Sequence, residues 1–177
     1  MDSFEIFREL PTVNIKKGTV LISAGDKAEM AYYVEKGCLR SYVLDQKGKE
    51  HIFQFAPEDW IISDLELMKH GGGAYLYIDA IEDSEVKVIP MSMMNSDIYS
   101  QREVMESVLK KFQNRVYSLQ KRVIQLLSFS AEERYAEFLK TYPNLAGRVP
   151  LKMIASYLGV TPESLSRVRK SFVKSSR

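Results

Sequence analysis

Apolar residues along this chain of 177 residues keep two different periods, and the change falls at Pro90. Between Pro11 and Pro90, turn signals recur at intervals of roughly 8 to 12 residues, the spacing of short strands joined by hairpins. They are Lys17-Gly18, Gly25-Asp26, Lys36-Gly37, Lys47-Gly48-Lys49, Pro57-Glu58-Asp59, Gly71-Gly72-Gly73 and Glu82-Asp83-Ser84. The intervening segments 19–22, 31–34, 39–44, 51–55, 76–81 and 86–89 are rich in β-branched and aromatic residues, and several alternate. This half is expected to form an antiparallel barrel or sandwich, with one helical turn from Asp64 to His70.

Beyond Pro90 the period becomes seven. Met105, Leu109, Phe112, Val116, Leu119, Val123 and Leu126 alternate spacings of four and three, while Lys110, Lys111, Gln113, Arg115, Lys121 and Arg122 fill positions between them. That is the seam of a coiled coil, broadened by Val108, Tyr117, Ile124 and Leu127. It predicts a long helix, from Ser96 or Asp97 to Leu127, that pairs with a second copy and also touches the barrel. Packing wholly within one chain is the alternative. Ser130-Ala131-Glu132-Glu133 is a capping box that opens a short helix to Lys140, and Tyr142 to Gly147 make the turn that ends it.

The overall charge of +2 hides an asymmetry along the chain. From Gly147 onward there are seven basic residues against Glu163 alone, a net +6, which leaves −4 on the first 146 residues. A basic end on an acidic chain fits a polyanion, since neutralised phosphates release condensed counterions, although a solvated tail has the same composition. Apolar runs are only a few residues long, and no basic segment precedes an apolar run at the start. No membrane span or leader is therefore expected, and the location expected is cytoplasmic. One cysteine, Cys38, excludes an internal disulfide and a Cys-rich metal centre. No cofactor or metal is predicted.

Residues 149–170 follow the pattern of a helix, a sharp turn and a second helix. Ile154, Ala155 and Leu158 give the first helix an apolar face, Gly159 allows the turn, and Val160 plugs the angle. Thr161 is an N-cap, Pro162 suits the first helical position, and Leu165, Val168 and Phe172 make the buried stripe. Facing outward are Glu163, Ser164, Ser166, Arg167, Lys170 and Lys174. Glu163 can accept from a cytosine amino group and Arg167 can fork onto guanine. Ser164 stands beside them as a base-edge candidate that also suits a phosphate, and Thr161, Ser166, Arg169, Lys170 and Lys174 suit phosphates.

These features resemble the Crp/Fnr family of transcription regulators, in particular its short Bacteroidetes-type members, over nearly the whole chain. The segments 17–21, 24–26, 32–37 and 48–50 match the family's cyclic-nucleotide-binding β-roll, the seam matches its dimerisation helix, and the last thirty residues match its helix-turn-helix. The resemblance implies an α+β fold: an antiparallel β-roll, of the double-stranded β-helix kind, over 1–95, a dimerisation helix over 96–128 and a DNA-binding module over 129–177. It also implies a homodimer on palindromic double-stranded DNA, with RNA polymerase as a further partner and Glu163 and Arg167 at base-reading positions.

Two departures bear on mechanism. Cyclic-AMP-binding members neutralise the phosphate with an arginine, whereas the matching stretch, Ile62-Ser63-Asp64-Leu65 followed by Gly73-Ala74-Tyr75-Leu76, has none, and no arginine lies between Arg40 and Arg102. A cyclic phosphate here lacks its bidentate partner, so the effector is expected to be something other than cyclic AMP. Trp60, Ile61, Asp64, Leu65, Tyr75 and Tyr77 are the candidate effector lining, with Trp60 equally suited to the core. The chain also ends shortly after the recognition helix, before the β-hairpin wing of many relatives, which leads to a shallower salt dependence. His51 and His70 have no triad-like neighbours, so no catalytic residue is assigned. The remaining alternative is a ligand-binding β-roll whose C-terminal module contacts protein rather than DNA.

Overall fold

The computed structural model describes residues 9–27, 30–64, 72–90, 92–93 and 102–175. The expected turn of helix after Asp64, together with Leu65, His70, Gly71 and the stretch from Ser96 to Gln101, lies outside the described residues.

Among the described residues, eight strands form two antiparallel sheets: β1 (Thr12–Ile15), β2 (Val20–Ile22), β3 (Met30–Lys36), β4 (Leu39–Leu44), β5 (Glu50–Ala56), β6 (Ile61–Ser63), β7 (Tyr77–Ala80) and β8 (Ser84–Pro90). One sheet has the order β1-β8-β3-β6 and the other β2-β7-β4-β5. Six of these strands coincide with the alternating segments. β1 and β6 are the two the alternation missed, being short and flanked by residues that resemble turns. The core draws on both sheets and holds Ile22, Tyr32, Val34, Leu39, Ile62, Ile78, Ala80 and Val86, with Trp60 packed partly buried against it. Gly37 makes the β3–β4 turn at φ +92°, where an added Cβ would lie 2.4 Å from Ser84 Oγ, so both the conformation and the space require glycine.

Among the described residues the helices are α1 (Arg102–Ser128), α2 (Ala131–Thr141), α3 (Leu151–Leu158) and α4 (Pro162–Ser175). The chain divides into two compact units. The first holds residues 1–43 and 53–114, and the second holds 44–52 and 115–177, so the tip of the β4–β5 hairpin belongs with the helical unit.

The tip is organised by one carboxylate. Asp45 Oδ1 accepts from the Lys47 and Lys49 amides, at 2.9 and 3.0 Å, and Oδ2 meets His51 Nε2 at 2.9 Å. These contacts, His51 first, hold the Asp45 carboxyl down at about 2. Within the first unit, Arg40 and Asp79 face each other across β4 and β7. Arg40 Nε and Nη2 reach the two carboxylate oxygens at 2.7 and 2.8 Å, and the guanidinium also lies 4.3 Å from the Tyr42 ring centre.

Candidate nucleic-acid interface

α3 and α4 owe their geometry to the residues between them. Gly159 is left-handed at φ 66°, and its N–H and that of Val160 close the end of α3 onto the Ser156 and Ala155 carbonyls, a glycine-terminated helix end. Thr161 Oγ1 then accepts from the Ser164 amide at 3.2 Å, capping α4 as its position before Pro162 implies. Ile154, Ala155, Leu158, Leu165 and Val168 are buried, and Val160 is half-buried at the angle.

Outside this apolar wedge the N-terminal turns of α4 present charge. Glu163, Arg167, Arg169 and Lys170 are exposed, while Ser164 and Ser166 are half-buried. Arg167 Nη2 donates to Ser164 Oγ at 3.1 Å, and the Thr161 hydroxyl reaches the same Oγ at 3.2 Å. The Glu163 carboxyl is held below its ordinary range by its own backbone N–H first, then by the Thr161 hydroxyl and the Arg167 charge, against a small cost of burial. Glu163, Ser164 and Arg167 thus form one cluster at the start of the helix, where an anion is also favoured by the helix dipole. The Thr161 hydroxyl, expected at a phosphate, is committed to this cluster. The Lys174 side chain lies outside the described residues.

Four residues of this unit have roles that the sequence reading did not assign. Arg122 of α1 donates to the Tyr157 carbonyl at 2.9 Å and to the Ile52 carbonyl at 3.2 Å, with its guanidinium 3.7 Å from the Tyr157 ring centre. Arg134 of α2 donates to the Leu158 carbonyl at 2.7 Å. The last carbonyls of α3, which no backbone N–H within that helix can satisfy, are met by two cations from other helices, the sign the helix C-terminus favours. Ser156 Oγ accepts from the Ile52 amide at 3.0 Å and donates to the Glu50 carbonyl at 2.9 Å, fixing the hairpin tip to α3. Tyr157 packs against Phe138 and Tyr142, each with ring centres 5.8 Å away. In the linear sequence these arginines are indistinguishable from the solvated face of any amphipathic helix.

The seam positions are open along α1. Met105, Leu109, Phe112, Val116, Val123 and Leu126 are exposed, Val116 at 61%, and Leu119 is half-buried. Tyr117, Ile124 and Leu127, expected to turn toward the barrel, are exposed as well, Leu127 at 81%. The apolar stripe on α1 is therefore wider than the heptad seam alone. The Val108 side chain lies outside the described residues.

The described candidate effector residues differ in their surroundings. Trp60 joins the main core, Ile61 packs on a separate small cluster around Ala31 and Ile89, and Tyr75 is exposed. Tyr77 stacks on Tyr42, with ring centres 5.2 Å apart. Asp64 is 2% exposed, and its Oδ2 accepts from both the Tyr75 and Leu76 amides at 2.6 Å. The chain's own carboxylate already occupies that pair of N–H groups.

The cyclic nucleotide-binding domain family matches residues 12–96. Over 174 residues the chain is 28% identical to the regulatory protein HlyX of Actinobacillus pleuropneumoniae, covering 91% of this chain and 71% of that protein. It is 27% identical over 172 residues to the fumarate and nitrate reduction regulatory protein of Vibrio cholerae, with 91% and 68% covered. Among solved structures, FixK2 from Bradyrhizobium japonicum shares the fold with a TM-score of 0.80 at 22% identity, over 94% of this chain and 86% of that one.

Proposed function

The chain belongs to the Crp/Fnr family of regulators, and from that premise we propose that it is a sequence-specific DNA-binding transcription regulator. It acts as a homodimer that lays two copies of α4 in successive major grooves of a palindromic operator, about 34 Å apart. The observation that carries this reading is the start of α4, where Glu163 and Arg167 are exposed on a helix whose other face is locked by Leu165 and Val168. Arg167 supplies the fork for guanine and Glu163 the acceptor for cytosine. Arg169 and Lys170 supply charge toward the backbone.

The dimer follows from the exposed stripe on α1. Burying a Leu, Val or Phe side chain contributes about 1.5–3 kcal/mol, so a row of such residues in water favours a second copy. Our reading keeps the effector distinct from cyclic AMP, because the Tyr75 and Leu76 amides are already taken by Asp64 and the segment carries no arginine to neutralise a phosphate. A regulator of this kind works in the cytoplasm beside RNA polymerase. Among the described residues, no helix is long and apolar enough to cross a membrane.

Selection of binding sites from fragmented genomic DNA, with effector-free protein at one stated salt concentration, tests the proposal. The expected product is an inverted repeat with half-sites one helical turn apart, and Arg167→Ala is expected to lose its sequence preference. Protein that enriches no sequence, with or without added cell metabolites, removes DNA readout and leaves protein contact as the role of the C-terminal module.

A further inference from the structure

Arg167 is an exposed, long side chain, and such a group ordinarily samples many rotamers. Fixing it on binding costs that rotamer freedom. Here that freedom is already restricted. Its Nη2 donates to Ser164 Oγ at 3.1 Å, one helical turn earlier. The same Oγ accepts from the Thr161 hydroxyl at 3.2 Å, and Thr161 is in turn held by its capping bond to the Ser164 amide. On the other side, the Glu163 carboxylate feels the Arg167 charge while bonded to its own N–H. Ser164 itself is half-buried between the exposed Glu163 and Arg167.

We infer that Ser164 is a positioning residue: its hydroxyl pre-orients the Arg167 guanidinium for the base edge, and does not itself read a base or hold a phosphate. The guanidinium carries five N–H donors. Ser164 takes one and leaves four, enough for a two-point contact with guanine. The hydroxyl is anchored by a cap that belongs to the helix backbone, so the aim of Arg167 is tied to the first turn of α4. This inference rests on the reading of α4 as a DNA-reading helix and assigns a second-tier residue within it.

The test uses the full-length protein, the selected inverted repeat, the same duplex with each base pair exchanged in turn, and an unrelated duplex. The base pair read by Arg167 is the one whose exchange ceases to matter in Arg167→Ala. Ser164→Ala keeps the Thr161 cap, which uses the Ser164 backbone. It is expected to lose about tenfold in discrimination at that base pair, within the range carried by one bidentate contact. Discrimination at other pairs and affinity for the unrelated duplex should stay the same, and Ser164→Thr should keep the wild-type pattern. Added to Arg167→Ala, Ser164→Ala should change nothing more. Loss at a different base pair, a uniform loss on every duplex, or a full additional loss in the Arg167→Ala background overturns the inference and makes Ser164 a contact in its own right.

A DNA-free measurement separates this from the regulator reading. Nitrogen-15 relaxation of the Arg167 Nε–H in the free protein should show greater mobility in Ser164→Ala than in wild type or Ser164→Thr. Equal mobility in all three overturns the positioning role. A wild-type protein that selects no sequence, yet shows the mobility difference, overturns the DNA reading and with it the use of the orientation.

Discussion

Arg40 and Asp79 are 4% and 8% exposed, and each is tolerable there only because of the other. Arg40→Ala leaves a buried carboxylate without its cation and is expected to cost about 3–5 kcal/mol in denaturant unfolding, whereas Arg40→Leu combined with Asp79→Leu should cost much less. Asp45 makes a different residue-scale prediction. Its carboxyl titrates at about 2 rather than near 3.8, so the folded state binds that proton less readily than the unfolded chain. The stability it contributes is present above the unfolded value and is lost as pH falls from about 4 through 2. An NMR titration should find the low value in wild type and a rise toward 3.8 in His51→Ala. Most of the individual residues at the start of α4 were legible from type and spacing. The pairing of Arg40 with Asp79 was not, since 39 residues separate them and only the β4–β7 register makes them neighbours.

Among the elements, α1 carries the plainest expectation. Val116→Asp puts a charge in the middle of the exposed stripe, and sedimentation should then report a monomer with an unchanged β-sheet signature, whereas the wild type is expected to sediment as a dimer. α3 depends on an element distant from it in sequence. Arg122→Lys keeps the charge but loses the planar guanidinium that stacks on the Tyr157 ring while its Nη2 reaches both the Tyr157 and Ile52 carbonyls. A loss of about 1.5–3 kcal/mol is expected by thermal unfolding, with faster hydrogen exchange at Ile52 and along the last turn of α3. The helix boundaries of α2, α3 and α4 could be read from caps, glycine and proline, because such signals are local. That two arginines complement the C-terminus of α3 was hidden, because it depends on where α1 and α2 pass.

For the molecule as a whole, the proposed DNA binding ties salt dependence to the basic residues from Gly147 onward. Lys170→Ala should weaken binding to every duplex by a similar factor and flatten the plot of log affinity against log salt by about one unit, with base preference preserved. Two structural classes in one chain, a β-roll and a C-terminal helical module joined by a long helix, were legible because a period of two, a heptad and a capped helix pair are each properties of neighbouring residues. So were the charge division and the start of α4. The sequence alone left the candidate effector lining looking like one group, and the tertiary structure disperses it among the core, a second cluster and the surface. It also decided that Asp64 is spent on the Tyr75 and Leu76 amides, that the hairpin tip belongs with the helices, and that Arg122 is a strut. Periodicity and caps report which face of an element is apolar and where it ends, while a polar side chain's partner is chosen by whatever element packs opposite, and only the assembled fold specifies that.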